Sequence, residues 1–309
     1  MSPKTVGYLL LPINAILFTA LFAVNKVYST RLKGNVFNAL LFALLASGGS
    51  AIVFFLMSWI QGFSLNPISL IFASIYGVLF VFTQISGVLA SKLENMSFYS
   101  QSFMLGGMIL PFFYGVFWEH ESAKIAKIIA IVLMVISLIV PLFDFLSKKG
   151  EGKSKKTSVL FVLLCLLALV SNGSNCVILS LHSRSVTGTT PFVFTGFYCL
   201  FTAIFSAIGF GVSFLFSKSK EEKAKAKASF SWAPLLLAIA YGLCMTFGSY
   251  TGMEGVMRVD ASMFFPVSSG LCILLSFLVC RILFHEKTGL FSKIGFGITL
   301  VATVLFLFS

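Results

Sequence analysis

One apolar stretch is written twice in this chain, and the duplication limits what the chain can fold into. Residues 253–287 read MEGVMRVDASMFFPVSSGLCILLSFLVCRILFHEK, and residues 88–122 read VLASKLENMSFYSQSFMLGGMILPFFYGVFWEHES. His120-Glu121 recurs as His285-Glu286, 165 positions on, and the same spacing relates Phe82 to Phe247, Ser86 to Thr251 and Gly87 to Gly252. Self-similarity at this spacing indicates two copies of one structural unit, residues 1–150 and 151–309. The boundary between them falls in the linker SKKGEGKSKKTS, residues 147–158.

The units are membrane units. Of 309 residues 58% are hydrophobic and only 10% charged, against about 25% charged in a soluble domain. There is too little polar surface to cover a water-soluble globule. The apolar runs are near ~20 residues long, enough to cross a ~30 Å hydrocarbon layer as helix. The first run, residues 6–24, lacks a small-residue cleavage site and is expected to be a retained helix. Counting runs between polar breaks predicts an all-α polytopic fold of ten transmembrane helices, at 6–24, 36–60, 67–91, 97–117, 124–146, 158–181, 191–216, 231–254, 261–284 and 289–308. Pro67 and Pro191 suit helix starts, where a missing N–H costs nothing. The linker at 217–229 is longer than its counterpart at 61–66, which makes the repeat spacing smaller near the first helix of each unit.

Five helices per unit is an odd number, so two units joined by a short linker cross the membrane in opposite senses. Such inverted repeats build alternating access around a site near the midplane. Lys and Arg set the orientation. Lys26, Arg31, Lys33, Lys92, Arg281, Lys287 and the Lys-rich linkers fall on one side. Lys4, Lys124, Lys127, Arg184 and Arg258 fall on the other. The positive-inside rule puts the first group in the cytoplasm and both termini outside. The net charge of +12 is therefore read as topology signal and lipid-headgroup contact, not as nucleic-acid binding.

Two stretches resemble a known family. MSFYSQSFMLGGMILPFFYGVFWEHE (96–121) and DASMFFPVSSGLCILLSFLVCRILFHEK (260–287) are similar to the pattern of the drug/metabolite transporter superfamily, in its ten-helix EamA-like branch. That pattern has a small-residue helix with a proline, an apolar run, and a Gly- or His-Glu corner before the last helix of each unit. The resemblance covers nearly the whole chain and implies a carrier fold without specifying a substrate. Pro266 aligns with Gln101 and Pro111 with Ser276, so the two halves are not chemically symmetric.

Few residues could carry chemistry. Glu121 and Glu286, at the corners, are expected to cap the helix that follows each. Glu254, near the end of the eighth helix, is either a proton- or substrate-coupling carboxylate or the partner of Arg258 four residues on. Asp144 reads as interfacial. Lys26 is either a snorkelling topology charge or an anchor for an anionic group. Asn172 and Asn175 share a helical face and either bond a neighbouring helix or face a cavity. Gln84 and Ser249 align across the repeat and are expected to line one central cavity. Tyr76, Tyr99, Gln101, Tyr198, Tyr241 and Tyr250 are further polar positions in apolar helices. Gly106-Gly107 and Ser268-Ser269-Gly270 suit close helix approach. Such a cavity would be polar and nearly uncharged apart from Glu254 and Lys26, suiting a small zwitterion, a polar metabolite or an aromatic cation better than a polyanion.

The six cysteines all lie in apolar runs and form no C-x-x-C pair, which makes them small apolar fillers. No Walker loop, H-E-x-x-H or nucleophile elbow is present. The three histidines lie at span ends without metal spacing. No catalytic residue, metal or cofactor is therefore expected. The sequence points to a secondary transporter of small organic metabolites or drugs, an exporter or exchanger with protons as candidate coupling ions. It is expected to be a monomer among membrane lipids, in a bacterial plasma membrane. A receptor or scaffold subunit using the same fold without transport is the alternative.

Overall fold

A computed structural model of the chain describes residues 2–32, 36–93, 96–122, 124–147, 155–216, 232–286 and 289–308. It holds ten helices: α1 (Pro3–Leu32), α2 (Val36–Gln61), α3 (Pro67–Leu93), α4 (Met96–Phe117), α5 (Ile125–Ser147), α6 (Lys155–Ser185), α7 (Pro191–Phe216), α8 (Trp232–Val256), α9 (Ala261–Ile282) and α10 (Leu290–Leu307). No strand occurs among the described residues. Nine of the ten are long and apolar enough to cross a membrane, and the described apolar stretch of α5 runs Ile125–Pro141. Residues 148–154 and 217–231, most of the two predicted linkers, lie outside the described residues, as do Lys33, Lys287 and the side chain of Asp144.

The ten elements match the ten predicted runs, with one substantial difference. α1 continues to Leu32, eight residues past its predicted end. Asn25 and Lys26 do not terminate it, because both are held inside the bundle: Asn25 is 1% exposed and Lys26 has an acidic partner. Pro67 and Pro191 start α3 and α7 as expected. Each is preceded by a capping side chain: Asn66 Oδ1 accepts from the Ile68 N–H (3.0 Å) and Thr190 Oγ1 from the Val193 N–H (3.4 Å).

The bundle is apolar on its outer face and holds several polar side chains within a mainly apolar core. Asn14, Asn38, Gln84, Gln101, Asn172 and Asn175 are buried, whereas Ile125, Ile128, Ile129, Val132, Ile136 and Ile139 line an exposed stripe of α5. An outer surface this apolar departs from that of a water-soluble protein and, with buried amides between the helices, fits a multi-pass membrane protein, in which helices associate through small and polar residues. Helices of the two sequence units interleave. α2 packs on α7, α5 on α10, and α4 on α9; α1 lies against α8 and α9, and α6 against α3 and α4. The two units share one core. Where α4 crosses α6 the backbones nearly touch. A Cβ on Gly106 would lie 1.9 Å from the Leu169 carbonyl oxygen, and one on Gly173 would lie 2.5 Å from that of Gly106.

Candidate functional site

A small cavity lies where six helices meet. It is lined by Asn14 and Phe18 of α1, Tyr76 of α3, Met104 of α4, Asn172, Cys176 and Leu179 of α6, Gly248, Ser249 and Gly252 of α8, and Phe265 and Ser269 of α9. All but Phe18 and Cys176 are buried. The cavity measures about 20 Å³ for water centres, room for one or two waters. The lining holds no charged residue.

Its polar atoms are held by specific bonds. Asn14 Nδ2 donates to the Gly248 carbonyl (2.6 Å) and to Thr251 Oγ1 (3.0 Å), and its Oδ1 accepts from the Ser268 hydroxyl (2.6 Å). One amide thus ties α1 to α8 and α9. Asn172 Nδ2 donates to the Phe103 carbonyl (2.8 Å) and ties α6 to α4. The Tyr76 hydroxyl and Ser249 Oγ share a hydrogen bond at 3.0 Å. Tyr198 stacks on Tyr76 with ring centroids 4.3 Å apart, and its hydroxyl has no hydrogen-bond partner.

The predicted residues divide. Ser249 and Asn172 line the cavity, and Tyr198 backs it through Tyr76. Gln84 does not join its repeat counterpart Ser249: its Nε2 reaches Ser47 of α2 at 3.3 Å, because Gln84 faces the side of α3 turned to α2. Asn175 is 1% exposed, yet neither of its amide atoms has a partner and it is not part of the lining. One helical face therefore carries two amides with different surroundings. Tyr250 stacks on Phe192 of α7 (4.5 Å) outside the cavity. Glu254 pairs with Arg258, both in its carboxylate and through its carbonyl. Lys26 pairs with Glu286 at 3.2 Å and donates to the Ser91 carbonyl at 3.3 Å. Asn14, Phe18 and Phe265 were not singled out from sequence, Ser269 was read as a close-packing position and Cys176 as an apolar filler. Asn14 had a signal: it is the one amide in its run and lies 158 positions before Asn172, the spacing that also relates Lys26 to Arg184.

Two carboxylates sit at opposite ends of the α4–α9 pair, and here the expected capping needs correction. Among the described residues, the N–H groups that Glu121 and Glu286 hold belong to helices other than those that follow them. Glu121 accepts from the Ala261 and Ser262 N–H groups at the start of α9 (3.1 and 2.9 Å). Glu286 accepts from the Met96 and Ser97 N–H groups at the start of α4 (3.0 and 3.3 Å). Asp260 occupies the N-cap position of α9 and makes no side-chain cap bond. The physical reason is the turn before each Glu. His120 and His285 adopt left-handed conformations (φ 54° and 50°). The N–H of Glu121 then bonds the Gly115 carbonyl (2.9 Å), and that of Glu286 the Cys280 carbonyl (3.1 Å). The reversed chain aims each carboxylate at the neighbouring helix end, where unpaired N–H groups and a positive dipole favour it.

Each carboxylate also holds a cation from a further helix. Arg184 of α6 reaches Glu121 (3.0 Å), Glu119 (2.5 Å) and the Val256 carbonyl (3.3 Å). Lys26 of α1 plays the same part at Glu286. Burial alone would raise the Glu119 carboxyl, but the Tyr114 hydroxyl and Arg184 hold it below the usual carboxylate range. Lys127, expected to be a topology charge, is only 4% exposed and donates to Ser262 Oγ (3.0 Å) beside Glu121. Among the described residues no three His, Cys, Asp or Glu side chains gather as metal ligands.

No family model and no curated protein matches this chain. A solved structure described as the crystal structure of a protein superposes with a TM-score of 0.64, covering 98% of this chain and 96% of its own at 18% identity. At that identity the likeness concerns the fold alone.

Proposed function

We propose that the chain is a secondary transporter of small organic solutes, working by alternating access between two inverted five-helix repeats. The observation that carries this reading is a cavity lined by helices of both halves, with a matching arrangement at either end of the α4–α9 pair beside it. Each end uses a Glu after a left-handed His, the first two N–H groups of a helix from the other half, and a basic residue. The positions of the Glu residues, of the capped N–H groups and of the carbonyls held by the cations are all 165 apart. An odd number of helices per repeat and a shared midplane site are what alternating access needs. The resemblance to the drug/metabolite transporters adds the substrate class, metabolites or drugs. The charge bias adds an orientation with both termini outside, and the short connections suit a bacterial plasma membrane. Ser249 and Asn172 of the lining, with Tyr198 behind Tyr76, are the residues most suited to hydrogen-bond a solute.

The test is counterflow in proteoliposomes, with amino acids, nucleosides, sugars and aromatic cations, with and without a proton gradient. Saturable exchange of one class that falls on Asn172→Ala supports the carrier. Folded protein that exchanges none of them favours the receptor or scaffold alternative.

A further inference from the structure

The two Glu-centred knots have a role beyond capping. α4 and α9 pack along one another and are clasped at both ends. Glu121, just after α4, holds the first N–H groups of α9; Glu286, just after α9, holds those of α4. The cations recruit the flanking helices. Arg184 brings in α6 and, through the Val256 carbonyl, the end of α8. Lys26 brings in α1 and, through the Ser91 carbonyl, the end of α3. These helices are also the ones that line the cavity. A pair clasped at both ends opens at one end by pivoting on the other. At about 20 Å³ the cavity is too small for an organic solute, so the helices around it must move to admit one.

We infer that the Lys26–Glu286 and Arg184–Glu121 knots are the two gates of the site, each locking one end, so that loss of either opens the cavity to one side of the membrane only. The assignment rests on the carrier reading. Side-chain exposure in each knot is low, 15% and 6% for Lys26 and Glu286, 24% and 7% for Arg184 and Glu121, so each is shielded from competing water. Charge-assisted bonds to backbone N–H groups are strong and directional. They bind one rigid element to another, as a latch must.

The cavity carries its own reporter. Cys176 is part of its lining, a free thiol with intermediate exposure. The other five cysteines (Cys165, Cys199, Cys244, Cys272 and Cys280) are replaced by Ala, leaving Cys176 alone. Vesicles of both orientations are treated with a membrane-impermeant maleimide. Glu286→Gln is expected to raise Cys176 labelling by about tenfold from one side, and Glu121→Gln by a similar factor from the opposite side. Lys26→Met and Arg184→Met should reproduce their partners' sidedness and serve where a Glu variant fails to fold. Monodisperse gel filtration checks the fold, and Cys176→Ala must abolish the signal. Labelling that stays at the wild-type level in every folded variant overturns the assignment, as does a rise from the same side, or from both sides at once, for the two locks. The readout needs no substrate. Switched labelling without solute flux would therefore count against the carrier and leave the gates standing, whereas flux with unswitched labelling would do the reverse.

Discussion

Gly106 and Gly107 are neighbours in sequence with opposite surroundings, and substituting each by Ala gives the sharpest check on the packing. In Gly106→Ala the new methyl would lie 1.9 Å from the Leu169 carbonyl oxygen, 2.7 Å from its carbonyl carbon and 2.9 Å from its Cα. All three are backbone atoms of α6, so no rotamer change relieves the overlap and the helices must separate. A gap of 0.5–1 Å forfeits a quarter to a half of each atom pair's ~0.1–0.2 kcal/mol, which over roughly fifty pairs at the crossing is about 3 kcal/mol. Replacing Gly in a helix returns about 1 kcal/mol, so the net destabilisation is about 2 kcal/mol. In Gly107→Ala the methyl meets Asn172 Nδ2 at 3.0 Å, Ser269 Oγ at 3.3 Å and Cys176 Sγ at 3.4 Å. These are ends of side chains bordering a cavity, and they can give. The same helix gain of about 1 kcal/mol offsets the small displacements, so its stability should lie within about 1 kcal/mol of wild type, while any flux falls because the methyl occupies the site. Unfolding in mixed micelles by SDS titration, followed by tryptophan fluorescence, measures both. Equal stability of the two variants, or Gly107→Ala as the weaker, would refute the close α4–α6 contact.

Three more outcomes follow from the same contacts. The folded Glu119 carboxyl titrates below its unfolded value of about 4.3. Its ion pair therefore adds stability that is complete above that pH and lost as pH falls through the lowered folded value. Glu119→Gln should flatten the fall in thermal stability below pH ~4, and an unchanged acid limb would remove Glu119 from it. Tyr76→Phe and Ser249→Ala each lose one buried hydrogen bond, and a double-mutant cycle should show coupling of about 0.6–1 kcal/mol; additive effects would mean the bond does not hold α3 to α8. Glu254→Gln breaks a rim ion pair with side chains 16% and 30% exposed, worth about 0–1 kcal/mol. Flux should keep its pH profile within about twofold, and a lost profile would put this carboxylate on a proton path.

Helix number and approximate limits were legible because each helix is an uninterrupted apolar run between polar breaks, a one-dimensional property. So was the duplicated stretch, and with it the paired His-Glu corners. The overrun of α1 was not legible. Asn25 and Lys26 look like a helix end in any window of sequence, and only the presence of Glu286 and the Ser91 carbonyl across the bundle lets them stay in the helix. The glutamate caps were half legible: the corner suggested a cap, and the left-handed histidine that redirects it to another helix left no mark in composition or spacing.

The sequence by itself determined the membrane class, the ten helices and the duplicated stretch, because hydropathy and self-similarity are written along the chain. Only the tertiary structure decided which polar residues meet. Gln84 and Ser249 align across the repeat, yet one faces α2 and the other the cavity. Asn172 and Asn175 share a helical face, yet one borders the cavity and the other is buried without a partner. Spacing fixes the direction of a side chain around its own helix axis. What it meets depends on the distance and tilt of the neighbouring helices, and those are set by contacts between residues far apart in sequence.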